Sequence, residues 1–215
     1  MRVVAIDGPC GSGKGTISKL VAKLENLVYI DTGAMYRCIA YLIIKNNIDM
    51  SNEEEIALLA RNSKIEFVQD KVMLNGEDVT KEIRTMEVTK IVSPVSSNVK
   101  LREVLVDKQR EMAGEYDVIM EGRDITTVVL PNANYKIYLD ASLEERANRR
   151  FKENTEKGMN VSYEEILENI KARDYNDMHK PVGALMRTDD QIYIDSTNMT
   201  IDEVVSKIRE IIGRE

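Results

Sequence analysis

Two cysteines and a single histidine in 215 residues are too few for a disulfide framework or a zinc site. Cys10 and Cys38 stand apart, and His179 sits in a charged segment that suits a solvated side chain better than a metal ligand. No apolar run approaches the ~20 residues that a membrane helix needs. The chain opens directly on strand-like residues, with no basic stretch and cleavage site, so a cytosolic protein is expected. Positive charge is in deficit: 30 Lys and Arg against 37 Asp and Glu give a net charge of −7. That balance argues against nucleic acid as a general partner and makes any local basic cluster worth noting. Repeats and low-complexity linkers are missing too, and nothing suggests an obligate interface, so a monomer of one domain over 1–215 is the default expectation. A hydrophobic share of 43% is enough for its core.

What is present is one stretch with a definite chemistry, Gly8-Pro9-Cys10-Gly11-Ser12-Gly13-Lys14-Gly15-Thr16. It follows Arg2-Val3-Val4-Ala5-Ile6-Asp7, a short apolar run that reads as a buried parallel strand. It precedes Ile17, Leu20, Val21 and Leu24, whose i, i+3, i+4, i+7 spacing predicts one face of a helix. Strand, glycine-rich turn and helix start, in that order, make a phosphate cradle. The glycines let successive N–H groups point inward, the helix end adds partial positive charge, and Lys14 is expected to reach the terminal phosphates. The residue after Lys14 is Gly15, and the hydroxyl comes one position later at Thr16, the best-placed protein group for Mg²⁺. This Gly-Lys-Gly-Thr ending resembles nucleoside monophosphate kinases more than GTPases or motor ATPases.

Further along, 27–31 predicts a second strand and Thr32-Gly33 the start of a helix through Met35, Ile39, Leu42 and Ile43. Ser51 with Glu54 predicts a capping box. Within residues 64–80, Ile65-Glu66-Phe67-Val68 alternates and turn signals stand at Asp70-Lys71 and Asn75-Gly76, which predicts an antiparallel insert. Residues 117–121 predict another buried strand, and 135–140 and 191–195 a fourth and a fifth parallel strand. Two charged helices are expected over 143–154 and 162–178, separated by the polar Asn154-Thr155-Glu156-Lys157-Gly158, and Thr200 caps a last helix to about 213. Strands alternating with helices predict an α/β fold with a doubly wound five-stranded parallel sheet. Ligands of such sheets bind beyond the carboxyl ends of the strands, which selects residues 8–16, Asp31-Thr32-Gly33, residues 121–124 and Asp140.

A phosphate loop alone leaves the acceptor unnamed. Arg37, Arg123 and Arg173 follow or face those strand ends, and Arg146, Arg149 and Arg150 share a helix face by spacing. They read either as a solvated basic face paired with Glu144, Glu145 and Glu153 or as a set that neutralises phosphate charge, which phosphoryl transfer requires.

Several segments together resemble the bacterial cytidylate kinases nearly end to end. They are Ile6-Asp7-Gly8-Pro9 through Thr16, Asp31-Thr32-Gly33-Ala34-Met35-Tyr36-Arg37, Leu74-Asn75-Gly76-Glu77-Asp78-Val79, Ile83-Arg84-Thr85, Leu101-Arg102-Glu103, Gln109-Arg110, Gly122-Arg123-Asp124, and Arg173-Asp174 with Asp177. The resemblance implies sheet order 2-3-1-4-5, counting parallel strands along the chain, with Mg-ATP as donor and CMP or dCMP as acceptor. It implies a core of 1–32, 115–145 and 186–215, a monophosphate-binding region of about 33–114 that carries the β insert, and a helical lid of about 146–160. It also implies that Thr32, Arg37, Ser93, Arg102, Arg123, Asp124, Arg173 and Asp177 contact the acceptor, with Lys180 beside them. Asp124, Arg102 and Ser93 suit the cytosine edge, where an amino donor lies beside ring acceptors. Lys14, Arg123, Arg173 and Arg149 are the groups expected to act on the transferring phosphate.

The chain departs from that pattern in four places. Thr126 replaces a usual glycine and is expected to crowd the turn after Asp124. Lys180 replaces a usual arginine and offers no planar fork. Gly183-Ala184-Leu185 replaces Ala-Pro-Leu, and Pro181 follows Lys180. Three alternatives stay open: a kinase for UMP or AMP, a nucleotide-controlled switch, and a binding protein that has lost turnover. Against the switch, the chain has no Asn-Lys-x-Asp guanine-reading motif.

Overall fold

The computed structural model describes residues 1–156 and 158–213. In chain order the elements begin β1 Val3–Asp7, α1 Lys14–Glu25, β2 Val28–Asp31, α2 Thr32–Lys45, α3 Glu53–Asn62, β3 Ile65–Val68, β4 Lys71–Leu74 and β5 Glu77–Asp78. They continue with α4 Met86–Val95, α5 Val99–Glu115, β6 Val118–Gly122, β7 Tyr135–Asp140, α6 Leu143–Glu156, α7 Tyr163–His179, β8 Ile192–Asp195 and α8 Ile201–Ile212. The main sheet has five strands in the order β2-β6-β1-β7-β8. Counting these strands along the chain, that is the expected 2-3-1-4-5. Two compact units result, Met1–Tyr29 with Tyr116–Glu215, and Ile30–Glu115.

In the first unit β1 pairs in parallel with β6 on one side and β7 on the other, which is why Val4, Ala5 and Ile6 are fully buried. Its core joins Val4, Ile6, Ile137 and Leu139 of the sheet to Ile17 and Val21 of α1 and to Val204, Val205 and Ile208 of α8. Each such side chain, fully buried, contributes about 1.5–3 kcal/mol. The expected face of α1 is half right. Ile17 and Val21 are buried, whereas Leu20 and Leu24 are 38% and 55% exposed, and the small residues Ser18 and Ala22 take the inner places. Close helix-to-sheet packing favours those smaller side chains. Thr200 caps α8 and Ser162 caps α7, each with a complete capping box closed by Glu203 and Glu165.

The second unit packs α2 on α4 and α3 on α5. Met35, Ile39, Ile56, Ile83, Leu101 and Leu105 fill it. Its antiparallel sheet runs β3-β4-β5. Asn75 and Gly76 turn between β4 and β5 with φ of 52° and 87°, the left-handed values that a tight hairpin needs. The other turn lies one residue earlier than predicted, at Gln69 (φ 56°), because Lys71 pairs with Val68 in the ladder. The cap of α3 also shifts by one. Asn52 accepts from the Glu55 N–H and donates to its carboxylate, while Ser51 hydrogen-bonds Asp49. Pro94 lies inside the last turn of α4. The charged helix expected to end at 154 continues through Glu156. Of the segment expected to separate the helices and of the expected lid, Lys157 lies outside the described residues, as do positions 214 and 215 of the expected core. Among the described residues no helix is long and apolar enough to cross a membrane.

Candidate active site

The parallel register sets Asp7 opposite both Gly122 and Tyr138. The next residues on the first two strands, Gly8 and Arg123, therefore leave the sheet side by side. Gly8 passes so close to β7 that a Cβ there would lie 2.0 Å from the Leu139 carbonyl oxygen. Gly11 and Gly13 hold φ of 80° and 90°. Helix α1 then starts at Lys14 with no side-chain cap, and the first N–H groups of a helix point out of its end toward anions.

Lys14 is buried and curls back along the loop. Its Nζ donates to the carbonyls of Gly8 and Pro9, both at 2.8 Å, and to Ser12 Oγ at 3.3 Å. Burial, and then the positive charge of Arg123, push its pKa down to about 8. Two cations thus face one small region, with Glu121 and Asp7 as the nearby carboxylates. Two cations this close together suit a polyanion.

Arg146 does not sit on a phosphate-facing stripe with Arg149 and Arg150. It is buried against the loop from behind and donates to the Ala141 carbonyl at 3.0 Å, the Cys10 carbonyl at 2.9 Å and Asp174 at 2.6 Å. Asp174 in turn accepts from the Cys10 N–H at 3.2 Å. Both backbone groups of Cys10 are therefore held by one buried ion pair. Arg149 binds Glu145 at 2.8 Å and the Ser196 carbonyl at 2.7 Å, and its Nη1 lies 3.9 Å from where a Cβ on Gly13 would be. Arg150 is exposed and bonds Glu153 at 3.1 Å. The i, i+3, i+4 spacing puts the three on neighbouring turns, but the partners around the helix divide their tasks.

Arg123 donates to Asp177 at 2.6 Å. Burial works against its charge, and the Asp177 carboxylate more than offsets this, holding the guanidinium above its ordinary value. Asp177 is likewise buried, yet its carboxyl is held below the usual range by Arg123 first, then by Lys180 and Arg173. Four of the expected site residues are thereby brought together. Asp124 is buried beside them in sequence, and its carbonyl accepts from Val128 and Val129 at 2.9 and 3.1 Å. Thr126 does not crowd this turn. Its side chain is fully engaged: the hydroxyl donates to Asp7 at 2.6 Å and accepts from Gln191 at 2.5 Å. His179 is exposed and stacks on Tyr175 at 4.1 Å.

In the second unit, Thr32 is buried at the start of α2, where Asp31 caps the helix by accepting from the Ala34 N–H at 2.9 Å. Arg37 donates to the Ile83 carbonyl and to Thr89 Oγ1 at 3.2 and 3.0 Å. Arg102 is buried with its guanidinium 5.7 Å from the Tyr36 ring centre. Ser93 is half-buried, and its carbonyl accepts from Ser96 Oγ at 2.8 Å.

For a metal, Thr16 offers an exposed hydroxyl at the first turn of α1. Glu121 bonds Tyr29 Oη at 3.2 Å, and its Oε1 lies 3.3 Å from where a Cβ on Gly15 would be. Gly15 thus leaves room for a carboxylate where a side chain would crowd it. Among the described residues no three His, Cys, Asp or Glu side chains gather into a metal cage. Hard oxygens in this small number fit Mg²⁺ held chiefly by phosphate oxygens and water.

Sequence reasoning missed the tasks of Asp7, Arg146 and Asp174. A carboxylate closing an apolar strand was the available signal for Asp7. The pairing of Arg146 with Asp174 joins residues 28 apart and left no trace in local spacing.

A parallel sheet whose first strand feeds a glycine-rich loop, with Lys14 and a paired arginine at the next strand end, defines a P-loop kinase. The solved shikimate kinase of Bacteroides thetaiotaomicron shares this fold, with a TM-score of 0.51 and 12% identity over 99% of this chain and 98% of that one. A family profile described as cytidylate kinase matches residues 4–214. The chain is 49% identical to the cytidylate kinase of Lactobacillus johnsonii and 51% identical to that of Clostridium tetani, each over 99% of this chain and 94% of the relative. It belongs to the cytidylate kinase family.

Proposed function

We propose that the chain transfers the γ-phosphoryl group of Mg-ATP to the 5′-phosphate of CMP or dCMP, giving CDP or dCDP and ADP. The observation that carries this reading is the ion pair of half-buried Arg123 with buried Asp177, beside Lys14 in the phosphate loop of a cytidylate kinase family member. Residues 8–16 hold the donor phosphates through loop N–H groups, and Lys14 neutralises them once it exchanges its loop carbonyls for phosphate oxygens. Arg123, Arg173 and Arg149 balance charge as the two phosphates approach. An acceptor phosphate is already ionised at neutral pH, so no general base is assigned.

On the acceptor side, Asp124 takes the cytosine amino group, and Arg102 and Ser93 take the ring acceptors. Thr32, Arg37, Asp177 and Lys180 contact the sugar and phosphate. Uracil presents a carbonyl in place of the amino group and meets Asp124 with repulsion. Thr16 is the protein group that would meet Mg²⁺, with Asp31 or Glu121 acting through water. When bound, the ion neutralises phosphate charge and orients the donor. Segment 146–160 serves as a lid that keeps water from the donor. A monomer acting in the cytoplasm completes the proposal.

The test is ATP-dependent ADP release measured with CMP, dCMP, UMP and AMP in turn. The two cytidine nucleotides should stimulate release strongly and the other two weakly. Preference for AMP or UMP would overturn the base-reading assignment, and stimulation by none would overturn the reading as a whole.

A further inference from the structure

Asp7 lies at the end of β1, immediately before the phosphate loop, and is fully buried. Its carboxylate accepts three hydrogen bonds from one short segment: Ile125 N–H at 2.8 Å, Thr126 N–H at 2.8 Å and Thr126 Oγ1 at 2.6 Å. A hydroxyl has one proton, and Thr126 spends it on Asp7, so its remaining partner must donate to it. Gln191 does so from Nε2 at 2.5 Å. The Oε1 of the same amide accepts from the Thr188 N–H at 2.8 Å, and Nε2 reaches the Met186 carbonyl at 3.4 Å. Donor and acceptor roles are thus set along the whole chain of bonds. Thr126 and Gln191 are 1% and 8% exposed, so water offers no easy substitute.

The segment held this way directly follows Arg123 and Asp124. The backbone of Asp124 is irregular, with φ −141° and ψ 28°, and its carbonyl is held on its C-terminal side by Val128 and Val129. Asp7 supplies the restraint next to it. Neither Thr126 nor Gln191 has a part in phosphate transfer as described above, and Asp7 enters it only as a carboxylate near Lys14.

We infer that Asp7, Thr126 and Gln191 form a positioning network that fixes the Arg123–Asp124 turn and so sets affinity for the acceptor monophosphate without touching it. The inference rests on the CMP kinase reading. It also explains why threonine is accommodated here: its hydroxyl links the β1 end to the stretch 186–191.

Thr126→Val keeps the side-chain shape and removes the hydroxyl. It should raise the KM for CMP about tenfold, as expected when a buried carboxylate and amide lose a shared partner. The KM for ATP and kcat should stay within about threefold, and Thr126→Ser should restore the CMP value. Gln191→Met, which leaves the Asp7 bonds intact, should move the KM for CMP in the same direction by a smaller factor. This variant tests the network independently if Thr126→Val folds poorly. A lowered thermal midpoint with unchanged KM for CMP in both variants would reduce the network to a structural role and overturn the inference. Equal rises in both KM values would overturn it as well. If the unmodified protein does not turn over CMP at all, the kinase reading fails first and this inference falls with it.

Discussion

Replacing Asp174 with alanine removes the carboxylate that holds both the Cys10 N–H of the phosphate loop and the guanidinium of Arg146. The two side chains are 12% and 7% exposed, so the pair is buried. Removing one partner of such a pair leaves an uncompensated charge and costs about 3–5 kcal/mol. Arg146 keeps its bonds to the Ala141 and Cys10 carbonyls, which puts the loss near the lower end, about 3 kcal/mol. For a chain of this length each kcal/mol lowers the melting temperature by about 2–4 °C, so a fall of about 6–12 °C is expected. The freed Cys10 N–H should also loosen the loop and raise the KM for ATP about tenfold. The assay is thermal unfolding of Asp174→Ala, Arg146→Ala and the double variant, with ATP kinetics on each. The double variant should lose less than the sum of the singles, by about 1–3 kcal/mol. A loss under about 1 kcal/mol, as for an exposed ion pair, together with additive singles would refute the reasoning.

Lys14→Ala should abolish phosphoryl transfer while leaving the fold intact; turnover retained in a coupled ADP assay would remove Lys14 from the donor site. Because the folded pKa of Lys14 is about 8, against an ordinary 10.5, the folded protein binds fewer protons than the unfolded chain between those values. The destabilisation from its buried charge is therefore present below pH 8 and relieved as pH rises toward 10.5. On the donor-site role proposed for Lys14, ATP binding should run the other way, and calorimetric ATP affinity should be flat below pH 8 and fall above it. A flat affinity to pH 10 would contradict this. Asp124→Ala should cut kcat/KM for CMP by about 100-fold while ATP affinity stays put, as for loss of a buried hydrogen-bonded charge; an unchanged preference for CMP over UMP would exclude it from base reading. Gly8→Ala, which puts a Cβ 2.0 Å from the Leu139 carbonyl oxygen, should cost about 3 kcal/mol through overpacking, and chemical denaturation reads this directly.

Much of the architecture was legible because the parallel strands are nearly continuous apolar runs, and the residues that end them are polar or glycine. Residues 135–140, read as a strand from their pattern alone, form β7 with those bounds. Where patterns failed, tertiary contacts had decided. Leu20 and Leu24 fit the helical period, but Ser18 and Ala22 took the buried places. Ser51 is as good a cap as Asn52, and Asp49 captured its hydroxyl. The arginines of α6 were legible as a cluster but not as three different tasks, because the partners that separate them, Asp174, Ser196 and Glu153, come largely from other parts of the chain. Thr126 looked like an obstruction only because Asp7, its partner 119 residues away, left no local sign.

The most direct measurement follows the phosphate itself. With ATP labelled at the γ position and CMP as acceptor, the label should appear in the β-phosphate of CDP, with little free phosphate. Label recovered only as inorganic phosphate, or retained in ATP at every acceptor concentration, would contradict a kinase in which residues 8–16 hold the donor and the Arg123–Asp124 turn helps hold the acceptor.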